Sequence, residues 1–235
     1  EFLPISSTGH LILVSRILNL ESSDFLKTFE IAIQFGAILS VVVLYFKKFL
    51  DSSLVFRLFI SFIPAAIVGF FLYPFIKGFL LGSSAVTLAA LFLGGIILLF
   101  IDRFFKNTGH RSLTTGHYLI IGLFQSLSVI PGVSRAAATI IGGLAVGLDR
   151  KSATEFSFLL AVPTMLAATG YDIYQSLSVL HTSNFKLLAS GMLLSFAFAL
   201  LAIKFLLRYV KNHDLKVFGV YRIGLAIVYF LLMNS

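Results

Sequence analysis

Two polar strings break an otherwise apolar chain, and both carry side chains that could do chemistry. The first is residues 1 to 10, Glu-Phe-Leu-Pro-Ile-Ser-Ser-Thr-Gly-His. If Ser7 or Thr8 caps a helix running to Leu18, then Ser7 and His10 stand three residues apart on its first turn, where side chains are neighbours. A hydroxyl and an imidazole so placed can act as nucleophile and base, or share one phosphate; a capped helix with an interfacial histidine has the same spacing. The second string is Pro131-Gly132-Val133-Ser134-Arg135-Ala136-Ala137-Ala138-Thr139. Its one charge, Arg135, lies inside the apolar segment His117 to Leu148. A charge at bilayer depth costs about 2.5–3.5 kcal/mol on insertion scales, so it faces protein, water or an anion. Pro131 and Gly132 interrupt the run, Ser134 is a good N-cap, and a helix over Ala136 to Leu148 would aim its backbone N–H groups at a partner of Arg135. Arg135 and Thr139, four apart, share a helical face. This is a phosphate-binding geometry inside a membrane; a Pro-Gly kink with an arginine snorkelling to an interface is the plainer alternative.

The elements that must position these strings are membrane helices. Of 235 residues, 58% are hydrophobic and 12% charged, and the mean hydropathy is +1.00. Such a chain is a polytopic membrane protein. Without cysteine there is no disulfide and no thiolate chemistry, which leaves hydroxyl, imidazole, carboxylate and guanidinium groups. Without tryptophan, Tyr and the 26 Phe serve as interfacial anchors. The net charge of +8 fits an anionic lipid or substrate, but loop Lys and Arg that set orientation give the same excess. Those charges are dispersed among apolar stretches, which excludes nucleic acid. The chain opens on Glu1, already inside a motif, and so reads as lacking its native start.

The hydrophobic pattern predicts an all-α membrane protein of six transmembrane helices: 29–46, 54–75 with a kink at Pro64, 85–101, 153–174, 187–207 and 217–233. Two re-entrant segments, around the two polar strings, complete it. Gly94 and Gly95 suit close helix contact. Glu21, Asp24 and Lys27 mark a short polar loop. Arg222 is a second intramembrane cation, placed to snorkel or to pair with Glu155. Placing Lys47 and Lys48 inside puts Arg57, Arg103, Lys106, Arg111, Arg150, Lys151, Lys204, Arg208, Lys211 and Lys216 inside as well. Arg16, Lys27, Lys77 and Lys186 fall outside, and twelve against four obeys the positive-inside rule. One re-entrant segment then enters from each side, as an inverted repeat requires, with halves of about 1–102 and 117–233 in a single domain, 1–235. Pro4-x-x-Ser7 and Pro131-x-x-Ser134 hold matching places, each followed by a half-helix and a span with a glutamate near its start, Glu30 or Glu155. Glu1, Ser7, His10, Ser134, Arg135 and Thr139 would meet in one pocket.

The strings E-F-L-P-I-S-S-T-G-H at 1–10, P-G-V-S-R-A-A-A-T at 131–139, E-F-S-F-L-L-A-V-P at 155–163 and Y-R at 221–222 together resemble the undecaprenyl-diphosphate phosphatases, or bacitracin-resistance proteins. The resemblance implies removal of the terminal phosphate from a C55 isoprenyl diphosphate, assisted by a divalent cation, Mg2+ or Ca2+. It also implies a bacterial plasma-membrane enzyme of cell-wall lipid recycling, whose site opens to the periplasmic side. That family carries a second acidic or amide residue four positions before the match to Glu1, ahead of the first residue here, and usually Ser at the position of Ala136. Cleaving a phosphoanhydride needs positioning and charge neutralisation above all. Arg135 would clamp phosphate oxygens with its planar fork. Ser7 would be the nucleophile with His10 or Glu1 as base, or His10 the nucleophile with Ser7 as phosphate ligand. Glu1 is also the candidate metal ligand. Ser134, Arg135, Thr139, Gly132, Ser6 and Thr8 are the substrate-binding candidates. The partners expected are the isoprenyl diphosphate and membrane lipid, with homodimerisation open. The rival class is an inverted-repeat transporter or flippase for a lipid phosphate or other anion, which needs the clamp but no nucleophile. Lipid phosphatases that place a second histidine downstream of a Ser-Arg pair are set aside, because Ile141 stands there.

Overall fold

The structure, a computed structural model, describes residues 1–20, 23–75, 83–105, 113–176 and 185–233. Lys77, Lys106 and Arg111 of the loop-charge count and Glu21 of the short polar loop lie outside the described residues, as do the side chains of Arg16, Asp24 and Lys27. Among the described residues every regular element is helical: α1 (Ser7–Ile17), α2 (Asp24–Tyr45), α3 (Ser52–Phe75), α4 (Ser84–Phe104), α5 (Thr115–Ser126), α6 (Arg135–Ala145), α7 (Arg150–Ser176), α8 (Phe185–Asn212) and α9 (Lys216–Met233). Lys47 and Lys48 sit in a single 3-10 turn after α2.

Helix starts follow side-chain capping. The hydroxyls of Ser23, Ser83 and Ser134 accept the N–H groups of Leu26, Val86 and Ala137 at 3.2, 3.3 and 3.2 Å, each covering a donor that a helix start leaves open. Five stretches are long and apolar enough to cross a membrane: Thr28–Leu50, Ser52–Leu72, Ser84–Phe104, Arg150–Tyr171 and Phe185–Asn212. The sixth stretch expected, 217–233, is helical as α9. Helical backbone continues through Pro64 in α3 and through Pro163 in α7.

Helix α7 is the hub. Phe158, Leu159, Leu160 and Ala161 are consecutive and all buried, so this helix has protein on every side. The short α6 rests directly on it and α2, α3 and α8 pack against it; α2 lies along α8, α3 along α5, and α4 along α9. The outer faces are as apolar as the core, with Phe70, Phe71, Phe104, Phe198 and Leu201 exposed. Lipid is the medium that accepts such a surface, and helices immersed in it associate by close packing and hydrogen bonds. Gly36 shows this best, because a Cβ there would run into the Met192 backbone carbonyl of α8. Gly36→Ala is expected to force α2 from α8 and destabilise by about 1–3 kcal/mol. Gly69→Ala, which meets open space on α3, should be neutral or gain up to about 1 kcal/mol from helix propensity. Thermal unfolding of the two variants in detergent checks the pair, and equal melting would contradict the packing.

One end of the bundle is tied by charge. Lys48 pairs with Glu155 at 3.0 Å, and Arg150 with Asp102 at 2.6 Å. The other Asp102 oxygen accepts the Leu215 N–H at 3.3 Å. The end of α4 and the starts of α7 and α9 are thus brought together, with the turn after α2 beside them. All belong to loops that the charge count places on one side. Glu155 is therefore committed to Lys48 and does not meet Arg222.

Candidate active site

The site is built from the first turn of α1 and the chain before it. Ser6 adopts φ 68°, in the left-handed region where a non-glycine residue costs about 1–3 kcal/mol. Its hydroxyl accepts the Gly9 N–H at 3.3 Å, so Ser6 is the N-cap, one residue earlier than the spacing suggested. Ser7 becomes the first helical residue and its hydroxyl is released from capping. That hydroxyl donates to Glu1 Oε1 at 2.6 Å. His10 Nδ1 donates to the Ser6 carbonyl at 2.7 Å, and Nε2 meets the Tyr221 hydroxyl at 2.7 Å. A carbonyl only accepts, so Nδ1 carries a proton, and Nε2 shares its hydrogen bond with the Tyr221 hydroxyl. The two rings lie parallel, 2° apart in plane. Of the two bases weighed for Ser7, Glu1 is the one that touches it.

Glu1, Ser7 and His10 face a cleft of about 390 Å³ between α1, α2 and α8. Leu11, Val14, Phe198 and Ala202 are among its walls, so a polar floor is joined to a long apolar flank.

Arg135 lies behind this floor. Its Nη1 donates to the Ser157 carbonyl at 3.1 Å and its Nη2 to the Glu1 carbonyl at 3.3 Å. The guanidinium is 5.9 Å from the centre of the Phe2 ring, and Nε is buried without a partner. The second string thus holds the first by its backbone. Thr139 is buried and bonds through its hydroxyl to Ser157 Oγ at 2.6 Å, and to the Arg135 carbonyl at 2.9 Å. The Ser134 hydroxyl is used as the α6 cap. Thr8 is exposed and stands apart from the cleft lining.

Arg222 has neither of the partners expected for it. It is 1% exposed and donates to the carbonyls of Leu91, Ala90, Gly132 and Pro4 at 3.3, 3.0, 3.1 and 3.4 Å. Carbonyl dipoles from three elements surround the cation, so it needs no carboxylate. Gly94 makes room for it, since a Cβ there would collide with the guanidinium. Gly132, at φ +91°, brings its loop against the Thr87 carbonyl of α4, a conformation and an approach that only glycine permits. The loops of both polar strings therefore meet on one buried side chain of α9.

The sequence-predicted residues separate into layers. Glu1, Ser7 and His10 line the cleft, whereas Ser6, Gly132, Ser134, Arg135 and Thr139 hold the backbone beneath it. Sequence reasoning missed Tyr221, Ser157 and Gln34. Tyr221 stood in the Y-R string and Gln34 one turn after Glu30, but only the tertiary fold stacks Tyr221 on His10 and puts Gln34 in the lining of the same cleft. Among the described residues no three His, Asp or Glu side chains converge as a ready metal cage; Glu1 is the one carboxylate of the cleft.

Comparison with known proteins places the chain in a family. A family profile described as "Bacitracin resistance protein BacA" matches residues 1–228. Relatives named "Undecaprenyl-diphosphatase" include one from Aquifex aeolicus, 50% identical over 97% of this chain and 91% of its own length. Another, from Sulfurihydrogenibium, is 50% identical over 98% and 93%, and one from Thermus thermophilus is 44% identical over 97% and 90%. Matching along nearly its whole length, and with both polar strings folded into one site, the chain belongs to the bacitracin resistance protein family.

Proposed function

We propose that this protein hydrolyses undecaprenyl diphosphate to the monophosphate carrier and inorganic phosphate, and that one observation carries the mechanism: the Ser7 hydroxyl on the Glu1 carboxylate at 2.6 Å, at the polar end of an apolar cleft. A transporter needs no such pair. The names of the relatives support the same reading. As Ser7 Oγ attacks the terminal phosphorus, its proton passes to Glu1. The bridging oxygen leaves with the isoprenyl monophosphate, and water then releases phosphate from the serine. His10, held by Ser6 and Tyr221, flanks the reacting phosphate. Arg135 supplies positive charge behind the floor and exchanges its neutral carbonyl partners for phosphate oxygens, which bind a guanidinium fork more strongly. One carboxylate with substrate phosphates is a usual way of holding Mg2+, so Glu1 would be the residue that holds a divalent cation. The cation, when bound, neutralises charge on the diphosphate.

The same reading takes the six apolar helices as spans and α1 and α5–α6 as parts of re-entrant segments in inverted repeat. It places the charge-tied end of the bundle in the cytoplasm and opens the cleft to the periplasmic side of a bacterial plasma membrane. Meeting of the two strings at Arg222 and Arg135 supports it. Both strings come from one chain, so a monomer suffices for catalysis.

Phosphate release from a long-chain isoprenyl diphosphate in detergent tests the function. The parent is expected to release phosphate and to lose that activity in EDTA, and Ser7→Ala to fall by about 10²–10⁴-fold. No release from the parent, with lipid or anion binding intact, would move the reading to the transporter.

A further inference from the structure

The cleft that must receive a diphosphate presents few hydrogen-bond donors. Glu1 only accepts. The Ser7 hydrogen is given to Glu1, and both His10 nitrogens are engaged, by Ser6 and Tyr221. Ser195, on the opposite wall, donates to the Ile33 carbonyl at 2.5 Å. Arg135 is absent from the lining, with both terminal nitrogens on carbonyls. One polar side chain of the wall is left. Gln34, half-buried on α2, faces this cleft, and its carboxamide has no hydrogen-bond partner among the described residues.

We propose that Gln34 is a substrate-binding residue of this site, its carboxamide N–H donating to a phosphate oxygen of the isoprenyl diphosphate; this rests on the phosphatase reading above. A carboxamide suits the place. It brings a donor without adding charge beside Glu1, whereas an acidic residue would repel the substrate and a lysine would compete for Glu1. Ser7 and Glu1 line the same cleft, so a diphosphate held in it can touch the nucleophile and Gln34 together. The other polar side chains of the lining need not give up a bond for the headgroup to be bound at first contact.

The test uses the full protein in detergent, with Gln34→Met, which keeps length and removes the donor, and Gln34→Glu, which keeps shape and adds a like charge. A hydrogen bond to a charged group predicts that Gln34→Met raises KM for isoprenyl diphosphate about 10–100-fold with kcat within about threefold. Gln34→Glu should raise it further. Inorganic pyrophosphate, which has no lipid tail, should lose potency as a competitive inhibitor by a similar factor in Gln34→Met, a change that loosened packing alone would not give. Unchanged KM and pyrophosphate inhibition in Gln34→Met would overturn the proposal. Should that variant fail to fold, Gln34→Glu decides by the same two readings. If the parent binds the lipid without releasing phosphate, the catalytic reading fails by itself. Equal lipid affinity of parent and Gln34→Met would then overturn the role of Gln34, and weaker binding by the variant would uphold it.

Discussion

Arg222→Leu is expected to lower stability by about 3–5 kcal/mol, the range for leaving a buried polar network without its central partner. Replacing a buried ion pair with apolar residues is often harmless because both partners go together. Here the partners are backbone carbonyls that no substitution removes. Those of Pro4 and Gly132 come from loops, where no helical hydrogen bond covers them, and both would be left buried beside a leucine. Arg222→Lys keeps the charge but brings a single ammonium to a space where a guanidinium reaches four oxygens, so it should fall between the parent and Leu. Thermal unfolding in detergent reads the series. A Leu variant melting with the parent would show that the four contacts contribute nothing to stability. Phosphatase activity should fall along with folded protein, since both site loops are anchored there.

The second large effect concerns Arg135. Arg135→Ala is expected to reduce kcat/KM by about 10³-fold or more, the size seen when a preorganised charge is withdrawn from phosphoryl transfer. Arg135→Lys keeps the charge and loses the fork, so only part of the activity should return. The substitution also removes the bonds to the Glu1 and Ser157 carbonyls, so melting temperature must be measured beside turnover. A mere tether would make Arg135→Ala unstable, yet normally active per folded molecule. A phosphate-binding group would make it slow at any temperature where it is folded.

Local structure was legible in the sequence, and tertiary pairing was not. The Pro-Gly interruption, the Ser134 cap and the helix after it follow from rules confined to a few residues, and α6 begins one residue before the expected start. The first string was misread by one position, because Ser6 caps from a left-handed backbone that no propensity favours. Composition gave the apolar helices, since a run of twenty apolar residues has one stable form in lipid. Partner choice was beyond reach for Arg222: two carboxylate or interface options were weighed, and the four carbonyls that hold it belong to α4 and to loops about 90 to 218 residues away. Carbonyls leave no mark in a sequence. Gly94 was read as a helix-contact residue, and it is one, but what it admits is a guanidinium.

The position of Arg222 on α9, the last described helix, also bears on biosynthesis. A ribosome delivers the two site loops long before α9, so during synthesis the carbonyls of Pro4 and Gly132 wait without the cation that joins them. A nascent chain halted before α9 would hold its serine and its glutamate but not the anchor that fixes their loops. The two loops are therefore fixed only once α9 has been made and packed, and copies cut short ahead of α9 are expected to lack the ordered site.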